Sequence, residues 1–322
     1  MKIFELRLNQ KEIAAIEEIC VYIESEGFDS NENQFLSSGL HLQSQLPSRI
    51  LSSLDTLLGA ACTVGVSIRS LPETTMPSPR THYERRNRRL NRMECITGLC
   101  ALHLGEIYGY TSQQDGRIFN DIIPLDDYKE VSDCSGGYLS EFRLHTEDSF
   151  FAFPPDFIIW GCHRNQERAV TKLAAIDDAD VSPEVQSLLM MKEYCITPNA
   201  FQNTKVFPTS YQILTPVGDG VTNMRMNAHT AFSESAKEQF RDAYGQLVSA
   251  LEEKAVERIF APGEIFVLNN RRVAHGRVAY EASNHEGRRW LTRLIVRRDL
   301  EAAHQFMYKG CRNILDPSKK TS

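Results

Sequence analysis

Within residues 10–25, apolar side chains recur at Ile13, Ile16, Ile19 and Ile23, close to the helical period, after a short opening run, KIFELRL, that predicts a strand. Residues 47–60 and 82–105 repeat the helical character, and the Pro-rich segment Leu71–Pro79 separates them as a loop. From about residue 117 the pattern shortens into β-rich runs: IFNDIIPL, GGYLSEFRLHTED, DFIIWGCHR, AVTKLAAI, FPTSYQILTP, GEIFVLNN and RRWLTRLIVRR. Turn residues punctuate these runs, as in an antiparallel sandwich or barrel. One helix interrupts the series at about Ser233–Arg258, where Ser235 and Glu238 have the spacing of a capping box. The final DPSKKTS reads as a frayed tail. This order predicts a mainly β chain with α. Its core is a double-stranded β-helix (jelly roll) at residues 111–300, with a helical layer at 1–110 and the helical insert at 233–258, all in one domain spanning 1–322.

Composition changes this picture little. A chain of 322 residues with 42% hydrophobic and 24% charged content buries a sizeable core unaided. A net charge of -6 argues against broad nucleic-acid binding, and the basic run Arg85–Arg89 reads as a solvated face of an amphipathic helix. Eight cysteines are scattered without a CxxC pair, so a zinc ribbon is not indicated and buried free thiols in a reducing compartment are. The N-terminus is too acidic for a signal peptide and no apolar run is long enough to span a membrane, which reads as a cytoplasmic protein without a membrane partner.

The chemistry concentrates in His145-Thr146-Glu147 and the distant His275. On a strand, residues i and i+2 share a face, so His145 and Glu147 can reach one metal while Thr146 points away. A second strand must bring the third ligand, and His275 ends the apolar run GEIFVLNNRRVAHGR. Two histidines and one carboxylate form the facial triad that holds Fe(II) and leaves the opposite face open. Taken singly, either histidine reads equally well as a hydrogen-bonded core residue. Arg289, 14 residues after His275, adds a guanidinium suited to the distal carboxylate of 2-oxoglutarate.

The stretches LGEIYGYTSQQDGRIFNDIIPL, LHTEDSFFAFPPDFIIWGCHRN, PGEIFVLNNRRVAHGR and RRWLTR resemble the clavaminate-synthase-like Fe(II)/2-oxoglutarate oxygenases. The likeness is to the subgroup that hydroxylates free amino acids (arginine, lysine and asparagine hydroxylases). Glu in place of Asp as the triad acid marks that subgroup. The resemblance implies His145, Glu147 and His275 as iron ligands and Arg289 as the partner of 2-oxoglutarate, with O2 as the second co-substrate. It offers Thr171, or the neighbouring Lys172, as a further co-substrate contact. Gln114 corresponds to the residue that binds the substrate's α-amino group and Arg293 to the one that binds its α-carboxylate; their bland readings are a loop closure and a basic stripe. Phe150, Phe151 and Trp160 are either shields of the metal or ordinary core.

The sequence departs from the arginine hydroxylases at one point. Where they carry an Asp-x-Asp pair, spacing from His275 places Asn227 and His229. A guanidinium buried against these groups would remain uncompensated, at a cost of several kcal/mol, so a neutral polar or acidic side chain fits better than arginine. The implied function is hydroxylation at Cβ or Cγ of a free L-amino acid in a specialised or natural-product pathway. Two alternatives stay open: an oxidative cyclase, desaturase or hydroxylase of a carrier-bound or modified amino acid, and a non-catalytic metal-binding jelly-roll sensor.

Overall fold

The computed structural model describes residues 1–59, 63–84, 89–198, 209–228 and 238–319. Two sheets face one another. The larger runs Lys2–Arg7, Thr63–Arg69, Glu264–Asn269, Phe157–Arg164, Trp290–Arg297, Glu106–Tyr110, Cys311–Leu315 and Met307–Tyr308, with Asn120–Ile122 also paired to Trp290–Arg297. The smaller runs Val256–Ile259, Val170–Ala175, Val273–Arg277 and Phe142–His145, all antiparallel. The jelly-roll expectation agrees with this arrangement.

Helices cover the outer face of the larger sheet. Gln10–Ser25 and Arg92–Leu104 each start with a capping box, Asn9 with Glu12 and Asn91 with Glu94, which satisfies amides that the first turn leaves open. Arg92–Leu104 buries Met93, Ile96, Leu99 and Leu104 against the sheet in one apolar cluster with Phe35, Leu54, Phe157, Ile159, Val267 and Leu294. Close approach depends on Gly161, where a Cβ would sit 2.4 Å from Thr97 Oγ1. Strand alternation divides Trp290–Arg297 between the two sides: Trp290 and Thr292 face the helices, whereas Leu291 and Arg293 face the other sheet.

The structure corrects several expected elements. The N-terminal third is less helical than its pattern suggests. Thr63–Arg69 is a strand paired on both sides, Glu106–Tyr110 is another, and Glu32–Leu42 is an additional helix. The helix expected over 82–105 begins only at Arg92. Residues 85–88 of the basic run lie outside the described residues, and Arg89 pairs with Asp29 at 2.5 Å. Of GGYLSEFRLHTED, only Phe142–His145 is strand. The insert helix is Glu238–Lys254, and Val256–Ile259 leaves it to pair with Val170–Ala175. Ser235, its expected cap, lies outside the described residues.

Candidate active site

The facing sheets place one row of side chains across the smaller sheet. His145 lies opposite His275 in antiparallel register, and Leu173 lies opposite His275 on its other side. Residues 226–228 extend the row: Asn227 bridges to His145, while Met226 and Ala228 exchange main-chain hydrogen bonds with Thr146 and Leu144. Directly opposed residues share a face, so Asn227, His145 and His275 all point toward the larger sheet. The His145 and His275 rings are 4.3 Å apart between centroids. Gly276 lets the strands approach, since a Cβ there would lie 2.6 Å from the Phe142 carbonyl oxygen.

Glu147 follows on the same chain segment as His145. Ligand atoms of His145, Glu147 and His275 lie within 4.8 Å of one another, and all three residues are buried. His145 Nδ1 lies 2.9 Å from the Arg143 carbonyl oxygen. A carbonyl only accepts, so Nδ1 is the donor and Nε2 is the ring nitrogen left to face a metal. Burial, then the neighbouring His145 and Arg293, holds His275 well below the usual histidine range, which keeps its ring neutral and able to donate a lone pair. Glu147 Oε2 lies 3.7 Å from His275 Nε2, and Glu147 Oε1 accepts from Arg293 Nη1 at 2.7 Å. One carboxylate oxygen thus faces the histidines while the other is tied back. Two imidazoles and one carboxylate on one side of a cavity would suit Fe(II) with positions left open for other ligands.

Arg293 is the hub of the larger sheet's inner face. Its Nη2 donates to Gln113 Oε1 at 2.5 Å and to Asn120 Oδ1 at 2.6 Å. Gln113 Nε2 in turn donates to Asp148 Oδ1 at 2.7 Å. Gln114 also borders the cavity, but its amide bonds both ways with the Asp121 main chain, at 2.8 and 3.0 Å. Positive φ at Gln114 (43°) and Asp115 (59°) turns the chain there. Local spacing does not encode that turn, and it brings Gln113 rather than Gln114 onto Arg293.

One pleat along the smaller sheet from the metal row lies a second row, where Arg277 opposes Thr171. Both border the cavity, as does Arg289. Arg289 is buried, and its Nε has no hydrogen-bond partner among the described residues. Lys172 points to the opposite face, where it pairs with Glu141 at 2.9 Å and with Glu252, so Thr171 is the residue of that pair at the cavity. Trp160 packs edge-on to His275 at 5.1 Å, whereas Phe150 and Phe151 belong to the apolar cluster beneath Glu238–Lys254. His229 lies outside the described residues. Sequence reading missed Gln113, Asn120 and Arg277. For Arg277 the signal was present: it stands two residues beyond His275 on the same strand.

Fold and site together define a jelly-roll protein of the non-heme iron oxygenase kind. Residues 200–295 match the model of the family described as taurine catabolism dioxygenase TauD, TfdA family. The L-ornithine/L-arginine 3-hydroxylase of Catenulispora acidiphila is 27% identical over 242 residues, covering 67% of this chain and 70% of that protein. A crystal structure of the non-heme iron oxygenase OrfP with Fe, succinate and (3S)-hydroxy-L-Arg superposes with a TM-score of 0.86 at 23% identity, covering 97% of this chain and 99% of that one. The structure of asparagine oxygenase with Fe(II), 2S,3S-3-hydroxyasparagine and succinate gives 0.87 at 19% identity, with coverage of 97% and 99%. The expected kinship with amino-acid oxygenases is borne out.

Proposed function

We propose that this protein is an Fe(II)/2-oxoglutarate-dependent dioxygenase that hydroxylates Cβ or Cγ of a free L-amino acid other than arginine, in a specialised or natural-product pathway. The observation that carries the reading is the spacing of the two rows. Two residues along a strand span about 6.7 Å, close to the length of a five-carbon 2-oxo diacid. With its 2-oxo acid end at His145, Glu147 and His275, such a molecule reaches Thr171 and Arg289 with its far carboxylate. The relatives named above support iron and a succinate-forming co-substrate.

Bound iron with 2-oxoglutarate and O2 supplies the oxidising power, and the chain supplies position and charge. His145 and His275 would hold the iron through ring nitrogens, and Glu147 through the oxygen that Arg293 leaves free. Arg293 also receives the substrate α-carboxylate, and the Gln113–Gln114 turn beside it receives the α-ammonium. Asn227, on the His145 face, meets the substrate side chain; His229 follows it by two positions in the sequence. Neither offers the fixed negative charge that a guanidinium requires. Trp160 and Phe142 pack on the two histidine rings and exclude water from them. No described helix is long and apolar enough to cross a membrane, and the seven described cysteines are all free. We read the protein as cytoplasmic, with a small-molecule partner and no nucleic-acid or membrane partner.

The test is conversion of 2-oxoglutarate to succinate with Fe(II), stimulated by an amino acid. The wild type is expected to show it and Glu147→Ala to lose it. An iron-loaded wild type that formed no succinate with any free amino acid would sink the reading.

A further inference from the structure

We infer that Arg277 is a second cation of the co-substrate site, which acts with Arg289 on the distal carboxylate and holds closed the loop beside it. This rests on the reading given under Proposed function and adds a residue that the reading does not use. Arg277 stands two positions beyond the metal-row His275 and directly opposite Thr171, so its side chain shares their face and borders the same cavity. Its guanidinium is buried. Nη1 and Nη2 donate to the carbonyl oxygens of Ser135 and Ser140, at 3.3 and 3.1 Å, and Nε has no hydrogen-bond partner among the described residues. Tyr280 lies 5.4 Å below it.

All these partners are neutral. Among the described residues neither Arg277 nor Arg289 makes an ion pair, whereas Arg293, the third arginine of the cavity, is paired with Glu147. Two buried guanidinium groups without a carboxylate are costly in an empty pocket. A carboxylate placed between them gains from both charges, and a 2-oxo acid lacking that carboxylate leaves both uncompensated. Arg277 also ties the Ser135–Ser140 loop to the strand that carries His275. A distal carboxylate that fixes Arg277 therefore fixes the loop as well.

The experiment is calorimetric titration of 2-oxoglutarate into Mn(II)-loaded protein without O2, for wild type, Arg277→Gln and Arg277→Lys. Arg277→Gln is expected to bind 2-oxoglutarate at least about tenfold more weakly, and Arg277→Lys, which keeps the charge, within about threefold of wild type. Amino-acid affinity should be unchanged in both. Equal weakening in the two variants, or none in Arg277→Gln, overturns the inference. Should Arg277→Gln not fold, Arg277→His gives the same comparison within one protein. Its 2-oxoglutarate affinity must rise relative to wild type as the pH falls from about 8 to about 6, and a parallel profile overturns the inference. A wild type that bound no 2-oxoglutarate would remove the function proposed above. Normal wild-type binding with an unchanged Arg277→Gln removes only the role of Arg277.

Discussion

Glu147 divides its two oxygens between different tasks, one toward His275 and one onto Arg293. On the proposed reading, Arg293 orients a metal ligand as well as offering a carboxylate site. Replacing an outer partner of a metal ligand typically weakens metal binding by about 10–100-fold. Arg293→Ala is therefore expected to lose iron affinity by about that factor and to raise KM for the amino acid, read by Fe(II) titration and by kinetics. A rise in KM with unchanged iron affinity would show that Glu147 does not need this partner. Arg293→Lys should rescue neither, because a compact ammonium lacks the planar fork whose two terminal nitrogens reach Glu147 on one side and Gln113 and Asn120 on the other. Asn227 carries the substrate argument. Asn227→Asp puts a carboxylate on the His145 face and should shift kcat/KM toward ornithine or arginine by about tenfold or more. An unchanged preference would mean that this residue does not meet the side chain.

At the scale of elements, the site depends on two strands that meet closely at Gly276 and on a helix seated on the larger sheet. Gly276→Val would force a Cβ against the Phe142 carbonyl, parting His275 from His145. The expected result is loss of iron binding ahead of any loss of fold, measured by Fe(II) titration beside circular dichroism. Leu99→Ala empties a fully buried position under Arg92–Leu104 and should cost about 2–5 kcal/mol in denaturant unfolding. The elements that carry the site were the legible ones. The His275 run is a strand where its periodicity put it, and His145 ends the strand Phe142–His145; Glu147 lies two residues beyond that strand, in a turn, yet its carboxylate still reaches the histidines. Thr63–Arg69 also alternates, at Val64, Val66 and Ile68, but pairs with Lys2–Arg7 and Glu264–Asn269, far away in the chain. A short run with only distant partners carries no local sign that it is paired on both sides. Val256–Ile259 follows a strong helix after one residue and is strand only because Val170–Ala175 lies beside it. Gln113 was hidden by a left-handed turn, a conformation that the residue types Gln114 and Asp115 do not announce.

For the molecule as a whole, one apolar cluster runs unbroken from Ile16, Phe35 and Leu54 in the N-terminal helices to Val267 and Leu294 in the large sheet. We propose that the chain is one folding unit, so calorimetry should show a single unfolding transition; two separated transitions would contradict it. A ligand that binds only the folded state stabilises by about 2.7 kcal/mol at a hundred times its Kd, so iron with 2-oxoglutarate should raise Tm and chelation should lower it. Burial pushes the thiols of Cys20 and Cys100 up to about 12, so neither should be alkylated in the native protein near neutral pH. The most direct measurement of the central claim is mass spectrometry of the products from iron-loaded protein, 2-oxoglutarate, O2 and a panel of free amino acids. The account predicts one added oxygen on a neutral or acidic amino acid, with succinate in equal amount. Arginine as the best substrate would contradict the reading of Asn227 and His229, and no oxygenated product from any free amino acid would contradict the proposed function itself.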